Sequence, residues 1–381
     1  MTEKLFERDA YLRTFSAAVV SCVPADGAYE IVLDRTAFYP EGGGQPGDTG
    51  VLGGVRVTDT SARGDEVVHL CAGALTPGAR VTGEIDWDRR FDHMQQHSGE
   101  HIVSGLICGA YGCSNVGFHL GAETVVIDFD RPIPPEDLPA IERRANEAVW
   151  EDRPFLVSYP TPAELAALDY RSKKELSGRV RIVECPGADR CACCGTHVRG
   201  AGEIGLVKLL SSRPFRSGVR IEMLAGRRAY DFVCAVTAQN GRVSNLLSVP
   251  PAQTADAVQR QGEELAAARY RAVGLENRLF TLYAGSLAGA GDVLLFVDDL
   301  APDAVRRCCE TVGEACGGRC AVFSGDDGTG YRYALRLPEG DLRAAVGAMN
   351  EALRGRGGGR PPLAQGSVAA PRAEIEAYFG K

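Results

Sequence analysis

Long apolar runs are missing from this chain. None approaches the ~20 residues that a membrane-spanning helix needs, so a membrane protein is not expected. The opening segment, MTEKLFERDAYLRTF, carries acids and no apolar core, and reads as neither a secretory signal nor a transit peptide. With nothing pointing to export, the cytoplasm is the expected location. Positive charge is not in excess either: 42 Lys and Arg against 50 Asp and Glu leave a net charge of −8. That balance argues against wholesale wrapping of a polyanion, although a local basic face would still suffice for nucleic acid. Histidine is scarce, at six residues, so where the histidines fall carries information. There is no internal repeat and no long low-complexity tract.

Cysteine, by contrast, is plentiful. Thirteen is an odd count, and in a cytoplasmic chain it reads as reduced thiols, some on a metal, rather than as a disulfide framework. With 381 residues, 45% apolar and 24% charged, the composition is that of an ordinary globular protein with room for two or three domains.

Residues 1–90 read as β: short alternating runs such as Glu30-Ile31-Val32-Leu33 and Gly54-Val55-Arg56-Val57 are split by Gly, Pro and Asp turns, which fits a small barrel or sandwich. The run from Glu41 to Gly47 interrupts it, with glycines that permit positive φ and close backbone approach. Residues 91–240 mix helix (His93 to Ala110, Pro135 to Trp150) with strands near residues 124–129, 180–183, 205–210 and 220–224, an α+β layer. Residues 251–284 are Ala-, Glu- and Arg-rich with Leu at helical intervals, which predicts one long helix, short for a coiled coil but a candidate homodimer seam. Residues 290–381 alternate strand and helix, a small α/β domain that ends in a glycine-rich, arginine-bearing segment from Gly355 to Arg360.

Two residue pairs carry metal chemistry. His97 and His101 stand four apart on one helix face, where both imidazoles reach one ion. Cys193 and His197 are also four apart, with Gly195 between them to let the backbone turn. Three imidazoles and a thiolate form a tetrahedral set that borderline-soft Zn²⁺ prefers. Spacing alone leaves alternatives: His93 shifts the first pair by a turn, and Cys191 or Cys194 replaces Cys193. The segment His97-Ser98-Gly99-Glu100-His101 also fits the inverted zinc-peptidase motif, with Glu100 as general base, but such a site takes a carboxylate as third ligand rather than a Cys-x-x-x-His pair.

The chain resembles the AlaX-type alanyl-tRNA editing proteins in their long form, freestanding relatives of the editing and C-terminal domains of alanyl-tRNA synthetase. Four motifs in order carry the resemblance: the Gly-rich segment from Asp34 to Gly50, the helix segment Met94 to His101, the segment Cys193 to Val198, and the glycine-rich segment Gly357 to Gly366. One departure is Cys194, where the synthetase usually has Gly. Nothing in the chain resembles an aminoacylation domain.

The resemblance implies an α+β multidomain fold: an N-terminal β-barrel, a central zinc-binding editing domain, a long helix and a C-terminal tRNA-binding-like α/β domain. It implies Zn²⁺ on His97, His101, Cys193 and His197, with no ligand at His93. The activity implied is hydrolysis of seryl-tRNA for alanine, and of the glycyl ester as a second substrate, in trans. It also points to Thr36 as the group that meets the serine hydroxyl, with Gly43, Gly44 and Gln45 of the same motif on the substrate side. No Ser-His-Asp arrangement is visible, and the catalytic group stays unassigned, with Glu100 and His119 as candidates for proton handling. A tRNA-binding module whose zinc is purely structural is the alternative reading. Seven basic residues against two acidic ones between Arg199 and Arg228, and Arg354, Arg356 and Arg360 near the end, are candidate phosphate contacts.

Overall fold

The structure, a computed structural model, describes residues 1–172 and 178–380. It falls into two compact units, Met1–Gln239 and Asn240–Lys381. The stretches 1–90 and 91–240, expected as successive domains, lie together within the first unit apart from its last residue.

The first unit opens with β1 (Glu3–Lys4), β2 (Thr14–Ala25), β3 (Ala28–Leu33), β4 (Arg35–Thr36), β5 (Gly50–Leu52), β6 (Val55–Arg63), β7 (Glu66–Cys71) and β8 (Arg80–Ile85). β1 and β4 pair in parallel. The other six pair antiparallel in an order that returns to its start, β2–β3–β7–β6–β5–β8 and back to β2. The alternation in the sequence is what fills this ring: Phe15, Ala17 and Val19 of β2 turn inward against Ile31, Leu33 and Phe38. Between β4 and β5 runs the Gly-rich loop.

There follow α1 (Trp87–Tyr111), β9 (Asn115–Leu120), β10 (Val125–Phe129), α2 (Leu138–Trp150), β11 (Leu156–Ser158), α3 (Pro162–Ala167), β12 (Ile182–Cys185), β13 (Asp189–Ala192), β14 (Val207–Phe215) and β15 (Gly218–Ala225). They make a four-stranded sheet, β14–β15–β10–β9, and a three-stranded one, β11–β12–β13. α1 is the hub. Asp86 caps its N-terminus by accepting from Arg89 N, and Gly112 ends it in the left-handed region. Nearly every residue from His93 to Ile107 is buried, polar ones included. Met94, Ile102, Val103 and Ile107 pack on Ile127 and Phe129 of β10 and Ile221 and Met223 of β15 in one apolar core.

α4 (Gly226–Leu247) was not legible as a helix. Three β-branched valines, Thr237 and the interior Gly241 lower its helix propensity, and most of its surface is exposed. The second unit contains α5 (Thr254–Ser286), β16 (Gly291–Phe296), α6 (Pro302–Cys316), β17 (Gly317–Asp326), β18 (Gly330–Arg336), α7 (Leu342–Ala352), β19 (Gly355–Arg360), β20 (Leu363–Val368) and α8 (Arg372–Phe379). The sheet order is β16–β17–β18–β20–β19, with β16 and β17 parallel. The glycine-rich segment Gly355 to Arg360 is thus an edge strand, paired residue by residue with β20. A cleft of about 1160 Å³ lies in this unit, bordered by Ser324, Arg332, Arg354, Arg356 and Ser367. Among the described residues no helix is long and apolar enough to cross a membrane.

Candidate metal centre

His97 and His101 lie one turn apart on α1, and Cys193 and His197 lie on the loop that leaves β13. Their ligand atoms all fall within 4.8 Å of one another. Cys193 Sγ lies 3.5 Å from Nε2 of His97 and 3.4 Å from Nε2 of His197. The ring centroids of the three histidines stand 4.5–5.1 Å apart. The three imidazoles are buried, and Cys193 alone keeps partial exposure. Of the alternatives left by spacing, His93 is buried on α1 outside this set, and Cys194 is exposed outside it. Cys191 approaches His101 only in a second group with Asp189.

The outer nitrogen of each imidazole has its own neighbour. His97 Nδ1 is 2.8 Å from Gln45 Oε1, His101 Nδ1 is 2.9 Å from Asp189 Oδ2, and His197 Nδ1 is 3.3 Å from Ser98 Oγ. A carbonyl or carboxylate oxygen at Nδ1 fixes the tautomer that leaves Nε2 bare for a cation. Asp189 is in turn held by Arg171, Nε to Oδ1 at 2.6 Å and Nη2 to Oδ2 at 2.9 Å. Gln45 spans the site: Oε1 also accepts from Thr196 N, and Nε2 donates to Thr196 Oγ1.

The cysteine loop is clamped from two sides. Arg181 donates to the carbonyls of Cys193 and Gly195, and Gly195 N–H points at Cys193 Sγ, 3.3 Å away. Glycine is required at 195 because a Cβ there would sit 2.2 Å from the His97 ring. On the opposite wall His97 stacks on Phe118 of β9 at 4.9 Å. There Gly44, at φ +89°, lets the Gly-rich loop lie against the Phe118 carbonyl, and its own carbonyl accepts from Leu120 N.

Burial alone would raise the Cys193 thiol, but the His97, His101 and His197 imidazoles around it overcome this and hold it well below the ordinary thiol range. Burial likewise opposes charge on His101, yet the Cys193 thiolate and the Asp189 carboxylate push it up to about 10. His197, buried beside the charged His101, is held well below its usual value. A thiolate with three converging Nε2 atoms is a donor set that fits a borderline-soft divalent cation.

The remaining expected residues fall elsewhere. Glu100 is buried on α1 and accepts from Ser104 Oγ at 2.6 Å and Asn115 Nδ2 at 2.7 Å. His119 is exposed on β9, outside the cluster. Gly43 lies in the Gly-rich loop at φ +60°, with open space where a Cβ would be. Gln45, expected on the substrate side, is fully buried and occupied with His97 and Thr196. Thr36 is fully buried too. His69 Nδ1 faces the Ile31 carbonyl at 2.9 Å and must carry the proton, so Nε2 accepts from Thr36 Oγ1 at 2.8 Å. Thr36 Oγ1 accepts from Phe38 N, which leaves the hydroxyl one lone pair. Six of the seven basic residues between Arg199 and Arg228 are in ion pairs with acids, so that run is no free basic patch. Sequence reading missed Asp189, Ser98 and Arg181, of which only Ser98 lies inside a recognised motif.

His69 supplies a pH test of this framework. Burial lowers it to about 4, against an unfolded value near 6.5. A histidine kept neutral by the fold contributes stability that is complete above pH ~6.5 and lost as pH falls towards 4, because the unfolded chain takes up the proton first. The loss expected is roughly 3 kcal/mol at pH 4. Urea midpoints from pH 4 to 7 should slope upward in the wild type and less steeply in His69→Gln, the buried His93 keeping part of the slope; equal slopes would refute the assignment.

The family described as tRNA synthetases class II (A) matches residues 12–89. The threonyl and alanyl tRNA synthetase second additional domain matches residues 180–222, which include Cys193 and His197. The chain is 30% identical to the alanyl-tRNA editing protein Aarsd1-A of Xenopus laevis, over 98% of this chain and 96% of that protein. It is 27% identical to the alanyl-tRNA editing protein AlaX-L of Pyrococcus horikoshii, again over 98% and 96%. It also matches an alanine–tRNA ligase of Ignicoccus hospitalis at 30% identity, over 94% of this chain but 40% of the ligase.

Proposed function

This chain belongs to the family of alanyl-tRNA editing proteins, and from that premise we propose that it hydrolyses, in trans, the ester of serine wrongly attached to alanine-specific tRNA, with zinc held by His97, His101, Cys193 and His197. The observation that carries the reading is the convergence of those four donors against the Gly-rich loop, joined to it through Gln45 and His97. An aminoacyl ester is already activated, so its hydrolysis needs no nucleotide. Bound zinc would supply a positive charge beside the pocket, where it polarises or orients polar groups of the substrate.

The chain's own residues do the rest. Gln45, Asp189 and Ser98 orient the three imidazoles. Phe118 and Phe155, stacked on His97 and His197, exclude water from their faces. The partly exposed Cys193 side is where the site meets solvent, and the Gly43 backbone of the loop, with open space beside it, provides close approach for the aminoacyl group. Loss of the ester from seryl-tRNA for alanine, incubated with purified protein, tests the reading. Intact ester alongside tRNA binding would instead establish a non-catalytic tRNA-binding module with structural zinc, a reading supported by the four protein donors.

Serine differs from alanine by one hydroxyl, which an apolar pocket rejects poorly. We assign its recognition to Thr36, whose remaining lone pair would accept from that hydroxyl. Thr36→Val should lower seryl-tRNA hydrolysis by about 1–3 kcal/mol of transition-state stabilisation and spare alanyl-tRNA hydrolysis. It should also cost stability, because His69 Nε2 loses its donor. Equal loss on both esters would assign Thr36 to the framework alone.

A further inference from the structure

α1 ends on a pair of cysteines. Gly112, at φ +58°, turns the chain into the left-handed region, and its N–H bonds the Cys108 carbonyl at 2.9 Å. A left-handed cap of this kind folds the residue after the glycine back over the last turn of the helix. That residue is Cys113, and the last turn presents Cys108 to it. Cys113 Sγ comes within 3.9 Å of the Ile107 carbonyl oxygen, and its thiol donates to the Cys108 sulfur. Both cysteines line a cleft of about 480 Å³, together with Tyr170, Arg171, Asp189 and Arg190. Cys113 is buried, whereas Cys108 is partly exposed. The bond from Cys113, opposed by burial and helped by the Arg171 guanidinium, holds Cys108 below the ordinary thiol range. The same bond, with burial, holds Cys113 above it. The accessible sulfur is thus the one with thiolate character, and a protonated thiol stands against it. Neither cysteine belongs to the metal-binding set.

We propose that Cys108 and Cys113 are a modification site for hydroperoxides: a dithiol, reduced at rest, that peroxide closes to a disulfide. The Cys108 thiolate attacks one peroxide oxygen. The O–O bond breaks, the other oxygen leaves and takes up a proton from water, and Cys108 becomes a sulfenic acid. Cys113 then gives up its proton and attacks the Cys108 sulfur, and the sulfenic oxygen leaves as water. Two thiols and one hydrogen peroxide yield one disulfide and two waters, with two electrons passing from sulfur to oxygen. The new bond would staple the last turn of α1 to the segment entering β9, the strand whose Phe118 backs His97. The proposal is independent of the hydrolytic reaction. Cys309 and Cys320 form another hydrogen-bonded thiol pair, but both are fully buried in the second unit, which makes them the internal control.

Hydrogen peroxide added to the reduced full chain, followed by alkylation and tryptic mapping, is the test. Residues 91–143 form one tryptic peptide, because Arg131 precedes Pro132, and it holds Cys108 and Cys113 and no other cysteine. In the wild type this peptide should lose two hydrogens and both alkylation sites, and dithiothreitol should restore them. The peptides carrying Cys309 and Cys320 should stay alkylated over the same interval. Cys113→Ser should halt the reaction at the sulfenic acid, trapped on Cys108 by dimedone. Cys108→Ser should leave Cys113 alkylatable, with oxidation slowed about tenfold or more. Circular dichroism checks that both variants keep the fold. A wild-type peptide that stays doubly alkylated in peroxide overturns the proposal. So does a Cys113 that oxidises as fast without Cys108, or a Cys309–Cys320 pair that closes at the same rate.

Discussion

Cys193→Ser should strip zinc from the protein, from about one ion per chain to less than a tenth, and lower seryl-tRNA hydrolysis on the order of 100-fold or more. The thiolate is the single soft donor of the set, and the three imidazoles around it hold the thiol well below its ordinary range. A serine hydroxyl in its place stays protonated and leaves three imidazoles with no anionic donor among the four. The adjacent Cys194→Ser is the control. Cys194 is exposed and outside the cluster, so its zinc content and turnover should match the wild type. Gln45→Ala tests the outer layer: His97 loses the oxygen that fixes its tautomer, and metal affinity should fall about 10–100-fold, less than for a direct ligand. Elemental analysis and a deacylation assay on the same preparations decide each case. Full metal retention by Cys193→Ser would exclude this donor set.

The two donor pairs were readable because their geometry is local. An i, i+4 pair on a helix and a Cys-x-x-x-His loop each bring two donors together without any knowledge of the fold. What turns the pairs into one centre is tertiary and left little trace in the sequence. Asp189 sits four residues before Cys193 in an ordinary-looking strand, and only the packing of β13 against α1 brings it to His101. Gln45 was read from its motif as a substrate group, whereas its contacts are with His97 and Thr196, 52 and 151 residues away. The basic run from Arg199 to Arg228 looked like a phosphate surface because its neutralising acids, Asp9, Asp88, Asp92, Asp128 and Glu142 among them, come mostly from distant segments. α1 hid its depth for a related reason. Its buried face carries His97, Glu100, His101 and Ser104, so hydrophobic periodicity understates how much of the helix is enclosed.

Asp48→Asn should destabilise the first unit by about 3–5 kcal/mol, the cost of leaving a buried charge without its partner. Arg90 and Asp48 are both fully buried. Arg90 Nε lies 3.0 and 2.9 Å from the two carboxylate oxygens, and Nη2 also bonds Asp48. The rest of the guanidinium donates to the carbonyls of Ala10 at 2.8 Å and Ala37 at 2.6 Å, while Asp48 accepts from Tyr39 N at 2.6 Å. One ion pair thus ties the end of the Gly-rich loop to the first turns of α1, two turns before His97. An asparagine of the same size removes the charge and turns an NH₂ towards groups that only donate, so Arg90 keeps its charge with nothing to balance it. For a unit of this size the midpoint of thermal unfolding should fall by roughly 6–20 °C. Replacing both partners by apolar residues, Asp48→Leu with Arg90→Met, should cost less than the single change, because no buried charge remains. Zinc content measured well below the lowered midpoint should stay near the wild-type value, since none of the four ligands is touched. A midpoint within about 2 °C of the wild type for Asp48→Asn would mean that water reaches Arg90, and that the loop is held to α1 by its backbone contacts instead.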